Sequence, residues 1–200
     1  VPSTPSPIAE VLDDLQRSFA RLGVRWFLFG AQAAILYGVA RLSADIDVTV
    51  DPGGRSSEDL VGVLAEAGFE LGVADVEGFV EATRVLPLVH RRSRIPVDVV
   101  LAGPGLEEQF FAGTRERLVG ETRVPVVSPE DLVAMKVLAG RPRDLEDVVT
   151  ILHVRRHDLD VDRVRTTLRL LEGALDRRDL QSELERLMAA ARGIATPPPA

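Results

Sequence analysis

The chain contains no cysteine, so it has neither a disulfide framework nor a thiolate metal site. Long apolar runs are missing too. Nothing approaches the ~20 consecutive apolar residues that a membrane-spanning helix needs, so no membrane partner is expected. Positive charge is in deficit: 24 lysine and arginine residues face 31 aspartates and glutamates, for a net charge of −7. That balance excludes a protein that coats nucleic acid over its whole surface. There is no Gly-x-Ser-x-Gly elbow, no Walker lysine loop and no Rossmann triple glycine, which removes serine-hydrolase, P-loop and dinucleotide-binding readings. The three histidines, His90, His153 and His157, have no metal-ligand spacing beyond the i,i+4 pair His153/His157. That pair lacks the glutamate of the zinc-protease helix and is read as a surface face. No internal repeat is visible. The opening VPSTPSP is not a basic-then-apolar secretory signal, and the cytoplasm is the expected compartment.

What is present centres on Phe29–Val50, FGAQAAILYGVARLSADIDVTV. Gly30-Ala31 follows the apolar run Val24–Phe29, a buried strand by composition. A short helix is expected from Gln32 to about Tyr37, stopped at Gly38. Asp45-Ile46-Asp47-Val48-Thr49-Val50 is then a strand with two carboxylates at its start. Residues i and i+2 of a strand share a face, roughly 6.5–7 Å apart. Asp45 and Asp47 therefore converge while Ile46 and Val48 enter a core. Two converging carboxylates make a hard-oxygen site suited to Mg²⁺ or Mn²⁺, and free amides at the Gly30 turn make an anion cradle. Phosphoryl or nucleotidyl transfer needs both parts.

Further along, helical spacing and capping residues mark a helix from Ser6-Pro7 to Gly23 and another from Ser56 or Ser57 to Gly68. Phe69–Val73 is an expected strand, and residues 74–84 carry no decisive pattern. Val85–His90 is a strand that Pro87 demotes to an edge or a bulge. After the polar turn Arg91–Arg94 comes Ile95–Leu101, an apolar strand with one carboxylate, Asp98. A charge in such a run is costly unless paired or metal-bound. Gly103-Pro104-Gly105 turns into a short helix with Phe110 and Phe111, and Val124–Val127 is a final short strand. Ser128-Pro129-Glu130-Asp131 opens a helix with cap, N1 proline and first-turn acids together. More helices follow at Asp144–Val154, after Asp160 or Asp162, and from about Leu180 to Ala191. Residues 1–5 and 196–200 are expected to fray. The fold class is α+β: a mixed sheet with flanking helices over residues 1–127, then a helical region over 128–195 docked on it.

Gly30-Ala31, a gap, and Asp45-x-Asp47 resemble the signature of polymerase-β-type nucleotidyltransferases, most of all the small bacterial AbiEii-like proteins. Position 31 departs from the Gly or Ser of that signature; its backbone amide remains but a serine hydroxyl is missing. The resemblance implies that Asp98 is a third carboxylate on a neighbouring strand, both metal ligand and general base. Lys136, in an apolar helix, and Asp144, after Arg141 and Arg143, look like the family's lysine helix and Arg-Asp motif. There the lysine contacts nucleotide phosphates and the aspartate shapes the site. Arg41 is a further candidate for phosphate. The implied activity moves a nucleoside monophosphate from a nucleoside triphosphate to an acceptor hydroxyl, with two Mg²⁺ or Mn²⁺ ions. The implied acceptor is RNA, such as tRNA, or protein, in a toxin–antitoxin or phage-defence setting with a cognate antitoxin as candidate partner. Arginines at 84, 91, 92 and 94, and at 155, 156, 163 and 165, offer weak support for RNA. Each feature has a plainer reading: a structural Asp-x-Asp pair, Asp98 in a salt bridge with Arg94 or Arg41, Lys136 snorkelling from a half-buried helix, Asp144 as a first-turn acid. The alternatives in function are a non-catalytic nucleotide-binding or interaction module, a small-molecule (antibiotic-type) nucleotidyltransferase and a metal-dependent phosphohydrolase.

Overall fold

The computed structural model describes residues 6–73, 76–103 and 105–194. The ends expected to fray, Pro104, and positions 74 and 75 lie outside them. The chain divides into two compact units, Val1–Gln32 with Leu42–Val127 and Ala33–Arg41 with Ser128–Ala200.

The first unit holds α1 (Pro7–Leu22), β1 (Arg25–Phe29), the start of α2 (Gly30–Leu36), β2 (Ile46–Asp51), α3 (Ser57–Glu66), β3 (Phe69–Leu71), α4 (Val76–Thr83), β4 (Val85–His90), β5 (Pro96–Leu101), α5 (Leu106–Ala112), β6 (Arg115–Val119) and β7 (Thr122–Val126). The strands form one sheet in the order β3-β4-β5-β2-β1-β7-β6. β2 runs parallel to β5 and β1 parallel to β7, and the other pairs are antiparallel. The fold is therefore α+β around a mixed sheet.

Strand alternation assigns the two faces. Trp26 packs at a tilt against Phe19 of α1, centroids 5.3 Å apart, and donates its indole N–H to Gln16. The residues paired across from Trp26 and Leu28 are Val50 and Val48, and beyond them lie Val99, Val97, Leu86 and Leu88. All are buried, and they make the core face beneath α1. Phe27, Phe29, Asp47, Pro87 and Asp98 point to the opposite face. There Phe27 meets Phe111 of α5 edge-on at 4.9 Å.

α1 starts and stops as its sequence dictates. The Ser6 hydroxyl accepts from the Ala9 N–H, Pro7 opens the helix, and Gly23 closes it with φ +66°. Ser56 and Asp59 form a reciprocal capping box on α3. Three expectations change. β4 is an interior strand, not an edge. Pro87 is accommodated because its carbonyl faces β3, accepting from Gly72 N–H at 2.8 Å; its N–H-less nitrogen faces the same side, just where β3 runs out. Residues 76–83 form α4. A strand unread in the sequence, β6, pairs with β7 through a Gly120 turn of φ +62°. It was invisible because Arg115-Glu116-Arg117-Leu118-Val119 has no buried face to impose a period of two.

α1 is also tied to β4 by a buried polar chain. Asp14, on the inner side of α1, meets His90 Nε2 at 3.2 Å, and the ring's Nδ1 lies 2.8 Å from Ser93 Oγ. The Ser93 backbone N–H also donates to Nδ1 at 3.4 Å. Nδ1 is thus the acceptor, and the proton on Nε2 goes to Asp14.

The second unit holds the remainder of α2, α6 (Pro129–Ala139), α7 (Pro142–Val154), α8 (Val161–Leu175) and α9 (Leu180–Arg192). α6 packs against α7, α8 and α9. Ser128 caps α6 by accepting from Asp131 N–H, and the buried Asp131 carboxylate takes both the Ser128 hydroxyl at 2.6 Å and Arg163 of α8 at 2.6 Å. Residues 37 and 38 belong here as well: the Arg155 guanidinium lies 5.3 Å from the Tyr37 ring centroid, and a Cβ on Gly38 would meet Val154 at 2.9 Å.

Replacing His90 with alanine is expected to destabilise the protein by about 2–3 kcal/mol, from the cavity and the loss of Asp14's buried partner. Urea unfolding monitored by Trp26 fluorescence would register this as a lower midpoint at unchanged slope; a midpoint equal to wild type would show that the chain from Asp14 to Ser93 holds nothing.

Candidate active site

Gly30 and Asp47 form a matched pair. β1 and β2 are antiparallel with Phe29 opposite Asp47, so the residue after Phe29 turns off the sheet beside that carboxylate. Gly30 has φ +65°, and a Cβ built there would lie 1.9 Å from Asp47 Oδ2. Both the backbone conformation and the space require glycine. Asp45 sits immediately before β2, and its carbonyl and that of Ser43 accept from the Gln32 side-chain amide at 3.4 and 2.8 Å. Gln32 on α2 therefore braces the loop that delivers Asp45. By its sequence context alone Gln32 is only the start of a helix. Ala31 is buried beside Gly30.

β5 lies next to β2 in parallel register with Asp98 paired to Asp47, which sets their backbones about 4.8 Å apart. Asp98 is exposed, between buried Val97 and Val99. The cost of burial inferred from its apolar neighbours does not arise in full, because alternation turns it outward. Its carboxyl is nonetheless pushed above the usual carboxylate range, first by partial desolvation and then by the charge of Asp45. Arg94, a suggested partner, pairs instead with Glu70. The edge so formed carries three carboxylates and no sulfur or nitrogen donor, with like charges pressing on one another. That donor set fits a hard cation such as Mg²⁺ or Mn²⁺. Among the described residues, the set of three ligand groups whose atoms approach within 4.8 Å of one another is a different one, Glu10, Asp14 and His90. Asp45, Asp47 and Asp98 are spread more widely than that.

The second unit contains a separate charge cluster. Lys136 does not snorkel: it is 4% exposed, and its ammonium donates to Asp144 at 2.7 Å and Asp147 at 2.8 Å. Arg41 approaches Asp147 at 3.4 Å. Asp144 is the third residue of α7, whose cap position is Arg141. Arg41, Lys136 and Asp144 are thus brought together by Asp147, a residue that went unselected in the sequence. Its signal was present, three residues beyond Asp144 and so on the same helical face.

The arginine groups that suggested RNA are largely occupied. Arg91 and Arg94 pair with Glu70, Arg92 with Glu10, and Arg84 donates to the carbonyls of Leu101 and Ala102. Arg155 pairs with Asp158, Arg163 with Asp131, and Arg165 with Asp162 and Glu185. They are elements of local charge pairing, not free basic patches.

The chain resembles several solved structures at a level that shows the fold. The solution structure of the antibiotic-resistance factor ANT(2'')-Ia matches 92% of this chain and all of its own at TM-score 0.61 and 12% identity. A nucleotidyltransferase-like protein from Paracoccidioides brasiliensis matches 90% of this chain and 94% of its own at TM-score 0.54 and 19% identity. The lincosamide antibiotic adenylyltransferase LnuA matches 76% and 99% at TM-score 0.52 and 15% identity. No curated protein matches the chain. The family model described as nucleotidyl transferase AbiEii toxin, type IV toxin–antitoxin system, matches residues 13–196. A match over nearly the whole length, on a fold shared with known adenylyltransferases, makes this chain a nucleotidyltransferase that belongs to the AbiEii family.

Proposed function

We propose that the chain moves a nucleoside monophosphate from a nucleoside triphosphate to a hydroxyl of RNA or protein, as the toxin of a toxin–antitoxin pair. The observation that carries the proposal is the edge formed by Gly30 at the start of α2, Asp45 just before β2, Asp47 on β2 and Asp98 paired with it on β5. Asp45, Asp47 and Asp98 would hold Mg²⁺ or Mn²⁺, and the bound ions supply charge neutralisation for the triphosphate. The amides of Gly30 and Ala31 donate to phosphate oxygens. Asp98, paired in register with Asp47 and turned to the same side of the sheet, takes the proton of the acceptor hydroxyl. The acceptor oxygen bonds to the α-phosphorus, the bond from that phosphorus to the bridging oxygen breaks, and pyrophosphate leaves. Lys136 and Arg41, with Asp144 shaping their surroundings, are the phosphate-binding cations of the proposal. The cytoplasm, where nucleoside triphosphates are plentiful, is the proposed location, and a cognate antitoxin is the proposed partner.

The paired arginines give RNA no advantage over protein as acceptor. A small-molecule acceptor is the second reading, favoured by the fold shared with ANT(2'')-Ia and LnuA.

The test offers each of the four α-³²P nucleoside triphosphates with Mg²⁺ or Mn²⁺ to total RNA, total cell protein, and a set of aminoglycosides and lincosamides. Transfer to RNA or protein is expected. It should fall at least about 100-fold in Asp45→Asn/Asp47→Asn, the scale of losing charge stabilisation at a reacting centre. Label found only in the small molecules would replace the acceptor class. Label retained in full by the double variant would remove the site.

Gly30→Ala should abolish transfer and also lower the melting temperature, because its methyl group occupies the place of the Asp47 carboxylate and alanine is strained at φ +65°. Circular dichroism and the same label assay read both; full activity in that variant would mean the Gly30–Asp47 contact has no part in the reaction.

A further inference from the structure

Of the chain's 24 lysine and arginine residues, Lys136 is the only lysine. Wherever else a cation serves, the chain uses arginine, so this position calls for something a guanidinium does not provide. A planar five-donor fork cannot replace a compact ammonium with three donors. The environment agrees. Two of the ammonium donors go to Asp144 Oδ1 and Asp147 Oδ2. The same Asp147 oxygen lies 3.4 Å from Arg41 Nη2. One carboxylate oxygen thus holds two cations that would otherwise repel each other.

The two carboxylates are not equivalent. The Asp147 side chain is 3% exposed and faces both cations, whereas that of Asp144 is 19% exposed, meets Lys136, and lies 3.4 Å from the exposed Arg141. The cluster is also incomplete: Arg41 Nε is buried and has no hydrogen-bond partner. A buried donor without an acceptor is costly, and here it sits beside a cation whose outer partner can reach solvent.

We infer that Asp147 is a positioning residue that holds Lys136 and Arg41 together, and that Asp144 is the exchangeable partner whose place on Lys136 is taken by a phosphate of the ligand. The inference rests on the proposed reading of Lys136 and Arg41 as phosphate-binding cations. Exchange of one anion for another keeps the two cations balanced, which an exchange at Asp147 would not, because both would lose their shared oxygen.

The experiment uses the full chain as wild type, Asp144→Asn, Asp147→Asn and Asp147→Glu, with thermal melting to confirm folding. Acetic anhydride labelling followed by mass spectrometry reads the accessibility of Lys136, with no other lysine to confuse the signal. Calorimetry with inorganic triphosphate, and separately with MgATP, reads affinity. Lys136 labelling is expected to rise about 10-fold in Asp147→Asn, with triphosphate binding about 10-fold weaker. Asp147→Glu, which keeps the charge one methylene further out, should lie between and serves if Asp147→Asn does not fold. Asp144→Asn should bind triphosphate about 3-fold more tightly, because the competing carboxylate is gone. Weaker binding by Asp144→Asn overturns the exchange. Unchanged labelling in Asp147→Asn and Asp147→Glu, with triphosphate still bound by wild type, overturns the positioning role and leaves the nucleotide reading standing. Absence of triphosphate and MgATP binding in every protein, with labelling still raised in Asp147→Asn, overturns the nucleotide reading and the exchange while supporting the hold of Asp147 on Lys136.

Discussion

Everything at the acidic edge of the sheet depends on the approach of the Asp47 carboxylate to Gly30. The approach follows from register: Phe29 opposite Asp47 on antiparallel strands leaves the residue that follows β1 no room for a side chain. The chain meets this by turning into α2 with a positive φ, which glycine adopts without penalty. The amides of residues 30 and 31 and the carboxylate of Asp47 then occupy one corner. β5 adds Asp98 because a parallel neighbour in register brings the same side of the pleat forward. A glycine turn and an acidic edge are thereby built side by side from two strand pairings and one glycine.

The helical unit meets a different constraint. Its buried charges lie in a medium that screens them poorly, and Asp131 and Lys136 are each held by an opposite one. Asp131 is enclosed by Ser128 and Arg163, and Lys136 by Asp144 and Asp147. Burial still pushes the Asp131 carboxyl upward despite these partners. The pairing limits what the many arginines do. Those at 91, 92, 94, 163 and 165 are committed to acids of the same unit, which is why a count of basic residues misleads about partners here.

Much of the architecture was legible. Ser6-Pro7, Ser56 and Ser128-Pro129 mark helix starts because a side-chain oxygen must satisfy orphan N–H groups, a local requirement written within three residues. β2 and β5 were visible because burial on one face imposes alternation. β6 lacks that burial and is held only by its pairing to β7, so nothing in its own composition announces it. Pro87 misled because proline forbids a donor, while the place where a neighbouring strand ends is a tertiary fact. Gln32 and Asp147 escaped notice for a similar reason: each acts on a segment distant in sequence, the loop before Asp45 and the cations at 41 and 136.

Sequence alone determined the residue types at the candidate site and their local frames. Glycine at 30, carboxylates at 45, 47 and 98, and a lone lysine at 136 are matters of residue type, and spacing decides which of them share a strand face. Tertiary structure decided their company. That Asp98 faces outward beside Asp47, that Lys136 is buried between two carboxylates, and that Asp14 bonds His90 instead of solvent all depend on pairings across 8 to 76 positions of chain. Local periodicity records which face of an element is buried, but the free energy of a charge depends on what lies across that face, and folding alone brings those groups together.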